Sequence, residues 1–220
     1  MFSGRRRCTH RRCRRVTGVC LAALGILSLP ASIALASSAT WDGNSAIGTP
    51  GDGVNWNDAN NWTTDGVTDT APSSSADLTF GGGTVGQINL NGNQSVSSLH
   101  FTAGFALDAL GTADTLNLNS GNITIDPSVI ATINAELAEN ALTITGGGTL
   151  IASQINSSEP ITVDGSTLII DATSSRDFSG FDTDSTGAVL INESNTIYGN
   201  VDNNGTLTIA AGKSLSSRSG

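Results

Sequence analysis

Cysteine is absent beyond residue 20 and methionine beyond residue 1. Basic side chains are almost absent after residue 15, where only Arg176, Lys213 and Arg218 remain. From residue 37 onward these three face nineteen acids, a net charge of −16, against −9 for the whole chain. Each shortage removes a class of chemistry. Without thiols there is no cysteine nucleophile, no thiolate metal site and no disulfide to staple the fold. A polyacid repels phosphate backbones and anionic membrane surfaces, so nucleic acid is not an expected partner. One histidine, His100, is left after residue 10, which rules out a multi-histidine metal site within one chain. In "VSSLHF" Leu99 and Phe101 share one face of an alternating strand, and His100 points the other way, toward solvent. A Ser–His–Asp arrangement would have to be built on that residue; a surface histidine is the simpler reading.

What the start of the chain has is a leader. "MFSGRRRCTHRRCRRVTG" carries seven arginines, "VCLAALGILSLP" supplies an apolar stretch, and "ALA" at 34–36 has the small-x-small cleavage pattern. Residues 1–36 therefore read as a secretory signal peptide. The apolar run is short for a membrane span. The residues after Arg15 do not complete a twin-arginine signal, and Val19 before Cys20 does not suit lipoprotein processing. The expected destination is the cell exterior.

From about residue 78 short apolar-x-apolar triplets alternate with Gly, Asn, Asp, Ser and Thr. They are Leu78-x-Phe80, Ile88-x-Leu90, Leu99-x-Phe101, Leu116-x-Leu118 and Ile123-x-Ile125, then Leu142-x-Ile144, Ile161-x-Val163, Leu168-x-Ile170, Val189-x-Ile191 and Leu207-x-Ile209. Each puts two apolar side chains on one strand face. Their shortness, the Gly- and Asn-containing turns between them and the lack of a large aromatic core predict an all-β solenoid of parallel strands. An antiparallel β-sandwich is the alternative. "DPSVIATINAELAEN" (126–140) also carries helix signals, with Asp126 and Pro127 at a start position and Val129, Ile133 and Leu137 at i+4 spacing. Its β-branched residues and the alternation Ile133-x-Ala135-x-Leu137 make it another coil.

"ATINAELAENALTITGGGTLIAS" (131–153) resembles the autotransporter-associated β-strand repeat, in which an I-x-A-x-L segment precedes a G-x-G-T-L segment. "NNGTLTIAAGKSL" (203–215) carries the same G-T-L signature, and the cadence covers roughly residues 76–215. The resemblance implies a right-handed parallel β-helix in a repeat-built passenger of an autotransporter. Such proteins are exported to the surface of Gram-negative-type outer membranes and act as adhesins toward extracellular glycans or cell-surface proteins. Members continue into further repeats or a translocator barrel. A barrel of ten-residue strands has no room here, so the chain reads as a truncated piece or as one that binds its partner non-covalently. The expected organisation is a signal peptide (1–36), a cap and lead-in (37–75), solenoid repeats (76–215) and a disordered, truncated tail (216–220).

All three tryptophans, Trp41, Trp56 and Trp62, stand in the polar stretches "WDGNSAIG" and "NWNDANNW" directly before the first coil. Two readings compete. A solenoid end exposes core and unpaired backbone, which large rings can cover as a Trp-containing N-terminal cap. Rings on polar loops can also stack on sugars, making these three candidate glycan-binding residues.

"DTDSTGAVLINE" (182–193) places Asp182, Asp184, Thr186, Gly187 and Glu193 at positions 1, 3, 5, 6 and 12 of a calcium-loop spacing. Flanking helices are not expected there, so calcium competes with a solvated Asp turn, and no other cofactor is implied. Polysaccharide hydrolysis would need two acids across a cleft, and nineteen acids rank no pair. A lyase would need a cation, and Arg176, Lys213 and Arg218 are the only ones. No enzyme activity is expected. The Asn-x-Ser/Thr tripeptides follow from composition, and "FGGGTVG" lacks the lysine of a phosphate loop.

Overall fold

A computed structural model describes residues 38–218, apart from 44–49, 67–68, 82–85, 110–112, 140 and 172–177. The leader reading (1–36) and Arg176 lie outside the described residues.

The described chain is a β-solenoid of about six turns whose strands pair almost entirely in parallel. Its strand segments stack on three sides. The first side stacks Ser38–Trp41, Asp77–Phe80, residues 98–101 and 122–125, Thr143–Thr145, Ile161–Val163, Phe181–Thr183 and Val201–Asn203. The second begins at Gln87–Asn89 and Ala106–Asp108, continues through residues 130–133, 149–152 and Thr167–Ile170, and ends at Ala188–Ile191 and Thr206–Ile209. The third carries residues 94–96, 115–118, 136–139 and 154–157, then Asn195–Ile197 and Leu215–Ser217. After the first step, parallel pairing recurs every 18 to 26 residues, which excludes the sandwich alternative. The 126–140 segment is extended, with a strand at Ile130–Glu139, as the coil reading expects.

Registry explains the core. Leu78, Leu99, Ile123, Ile144 and Val163 stack as one inward column on the first side. Ile88, Leu107, Ile133, Ala152, Ile170 and Ile191 form another on the second. A parallel stack repeats each inward position at every turn, so a row of Leu, Ile and Val fills the interior with like side chains in contact. Nine of the ten apolar triplets are buried at both positions. The exception is Leu207-x-Ile209 in the last turn, where Ile209 is 42% exposed because no described coil lies over it.

The outer face of the second side departs from the rule that outward positions are polar. Ile151, Ile169 and Leu190 point outward in register, between Thr132 before them and Thr208 after them. A parallel row of Asp108, Asn134 and Ser153 flanks this stripe. Asn134 donates to Asp108, and Ser153 donates to Asn134 at 2.9 Å.

Candidate functional site

The first turn is closed by the tryptophans. Trp62–Thr63 folds back and pairs antiparallel with Ser38–Trp41, so the outermost edge no longer offers a parallel template. Trp41, Trp56 and Trp62 are 0–2% exposed. Trp41 and Trp56 each meet Trp62 edge-on with ring centroids 4.9 Å apart, and Trp62 sits 5.7 Å from Phe80. Phe80 in turn stacks on Phe101 at 4.8 Å. The cap is thus the top of an aromatic column that gives way to Ile125 in the next turn.

The polar residues around the rings are the cap's frame. Asn61, fully buried, accepts from the Gly53 amide and donates to Asp52 and to the Asn55 carbonyl, each at 2.8 Å. Trp62 Nε1 donates to the Trp56 carbonyl at 2.7 Å. Asp58 caps the short 3-10 turn Ala59–Asn61 by accepting from Asn60. Burial opposes ionisation of Asp52, but donors from Asn55, Asn61 and Val54 outweigh it and bring its carboxyl down to about 2. All three rings lie in the core, so the glycan-platform reading of Trp41, Trp56 and Trp62 would need them to open toward solvent.

The calcium-spaced residues do not converge. Asp184 accepts from the Thr186 hydroxyl at 2.6 Å and from the amides of Gly165, Thr186 and Gly187, and these donors hold its carboxyl at about 2. Asp182 stands on the first side between Thr162 and Asp202, and Glu193 pairs with Lys213 on the following turn at 2.5 Å. Among the described residues no group of three or more His, Cys, Asp and Glu is placed to hold a metal ion. His100 does face outward and meets Asp126 of the next turn at 2.9 Å, and no serine hydroxyl bonds it among the described residues.

A cleft on the third side is the feature that sequence reasoning missed. The 115–118 segment pairs with its predecessor as far as Val96↔Leu118, and the 136–139 segment pairs with its successor as far as Ser157↔Glu139. Between themselves these two segments pair only at Thr115↔Glu136 and Leu116↔Leu137, and then the ladder stops. Two turns part at that point. A cleft of about 550 Å³ opens there, walled by residues 117–121 on one turn and by Ala138, Glu139 and Ala141 on the next, with Asn156 and Ser158 on the turn beyond.

Glu139 stands at the parting. It stands two residues after inward Leu137, at a registry position shared with buried Val96, Leu118 and Ser157. An aliphatic residue there would continue the column. Instead the carboxylate accepts from the Leu118 amide, where the ladder between the two turns is interrupted. Burial pushes its carboxyl up to about 8. A protonated carboxyl still accepts that amide through its carbonyl oxygen and gains an O–H donor.

The rim is fixed from behind. Asn119 donates to the Ser74 carbonyl at 2.6 Å, Ser120 to the Ser97 carbonyl at 2.7 Å, and Asn156 to buried Glu136 at 3.0 Å. Gly121 has a positive φ of 68°, and a Cβ there would lie 1.9 Å from the Ala141 carbonyl oxygen. The two turns re-close at that crossing.

No protein-family model, no curated protein and no solved structure matches the chain.

Proposed function

We propose that this chain is an exported, passenger-type surface protein that works by presentation and adhesion rather than by catalysis. The observation that carries the reading is the outward aliphatic stripe Ile151–Ile169–Leu190, three half-buried side chains held in register on the second side. Burying aliphatic side chains against a partner is favourable by roughly 25 cal/mol per Å² of apolar surface. A stacked sheet holds the three side chains in place before any partner arrives, which lowers the ordering cost of binding. The arginine-rich leader and the resemblance to autotransporter-associated repeats support export to an outer-membrane surface. The acidic exterior suits a neutral or basic partner, such as a cell-surface protein or an extracellular glycan.

The test has two readings on one preparation. The full chain is expressed in a Gram-negative host, and its surface location is measured by protease accessibility on intact cells. Attachment of those cells to a surface-protein extract is then compared with the variant I151T/I169T/L190T. Threonine keeps strand propensity, so the fold is retained. Surface exposure with attachment that the triple variant loses supports the reading. Retention in the cytoplasm, or attachment indifferent to the substitutions, contradicts it.

A further inference from the structure

We propose that the cleft where the 115–118 and 136–139 segments part binds the end of a neutral saccharide, one or two rings long, through Glu139, Asn117 and Asn156. This is a second site, on a different side from the aliphatic stripe, and it does not depend on the presentation reading.

The lining fits such a ligand chemically. The volume of about 550 Å³ lies inside the range of roughly 300–1,000 Å³ found for small-ligand sites. No Lys, Arg or His lines the cleft, so nothing there compensates an anionic ligand such as a phosphate or an acidic sugar. No aromatic ring lines it either, so a flat apolar ligand finds no stacking partner. What lines it is an array of carboxamides and hydroxyls broken by Leu118, Ala138 and Ala141. Carboxamides and hydroxyls both donate and accept, as sugar hydroxyls do. The small aliphatic side chains match the C–H edges of a pyranose.

The polar groups also have spare bonding capacity. Asn117 donates from Nδ2 to the Gln94 carbonyl at 3.4 Å, and Asn156 donates from Nδ2 to Glu136. Their carboxamide oxygens accept no hydrogen bond among the described residues. With burial holding Glu139 protonated near neutrality, its O–H adds a donor beside these two acceptors in the lining. Rims anchored by Ser74, Ser97 and Glu136 hold the array in place, which favours binding without reorganisation.

The experiment is a titration of the ¹⁵N-labelled chain with cellobiose, maltose and chitobiose, with calcium chloride as a separate arm, followed by amide chemical-shift changes. The expected result is saturable shifts at residues 117–121 and 138–141 with at least one disaccharide. E139Q keeps the effect, because the amide preserves both donor and acceptor. E139L and N117A weaken it about tenfold, the size of one lost hydrogen bond. Leucine at 139 continues an inward column and asparagine 117 faces outward, so both variants remain folded. Shifts from calcium but from no sugar, sugar-induced shifts centred elsewhere, or shifts unchanged in both E139L and N117A would each overturn the proposal.

Discussion

The Glu139 carboxylate accepts the Leu118 amide across two adjacent turns, beside the point where the backbone ladder between them ends. The cleft opens beside this contact. A glutamate whose folded pKa stands near 8, above its ordinary 4.5, contributes stability that is fully present below 4.5 and is lost as pH rises through 8. The group is half exposed, so solvent screening reduces the size of that loss. Thermal melts from pH 4 to pH 9 therefore show a falling Tm for the wild type relative to E139Q, and a flat or rising difference contradicts the assignment.

E139L is expected to be at least as stable as wild type at pH 8. Leucine joins Val96 and Leu118 in registry and removes a carboxyl that burial disfavours. The gain is on the order of 1 kcal/mol, measured by urea unfolding. A destabilised E139L would mean that the position does not face inward.

Gly121 tests the crossing that bounds the cleft. Its positive φ and the 1.9 Å approach of a Cβ to the Ala141 oxygen both oppose a side chain. Gly66 has a positive φ of 80° with nothing within 4 Å of the Cβ position. G66A is expected to cost about 1 kcal/mol from backbone conformation alone, and G121A clearly more. Equal losses in urea unfolding would contradict the close crossing.

The Lys213–Glu193 pair links the last two turns but is about one-third exposed on both partners. K213A is expected to change stability by no more than about 1 kcal/mol. Urea unfolding checks this, and a larger loss would mean that the pair closes the open end of the solenoid.

Much of the fold was legible because a parallel stack repeats its inward positions. Leu78-x-Phe80 through Val189-x-Ile191 announced buried pairs one strand at a time, and their burial follows directly. The three-sided turn was harder to read. Segments such as 94–101 and 115–125 cross a corner without a break in extended backbone, so one strand serves two sides. The aliphatic stripe had a visible signal in the consecutive apolar residues of "TLIAS", "TLIID" and "AVLIN", where the middle residue must face out. Glu139 had a weaker signal, an acid two residues beyond Leu137 in an alternating run. Its effect depends on which residue of another turn lies opposite, and registry between turns is not written in local sequence. The calcium spacing meets the same limit of local sequence. A twelve-residue helix-flanked loop and a solenoid corner can share acid positions while pointing them to different sides.

The most direct test of the account is the tryptophan emission of the protein, because all three tryptophans lie in the cap. Acrylamide quenching is measured alone and with cellobiose, maltose and chitobiose. Blue-shifted emission, protected from acrylamide and unchanged by any sugar, is the predicted result: Trp41, Trp56 and Trp62 close the solenoid. Red-shifted, quencher-accessible emission that a sugar protects would contradict the account and make "NWNDANNW" the binding platform.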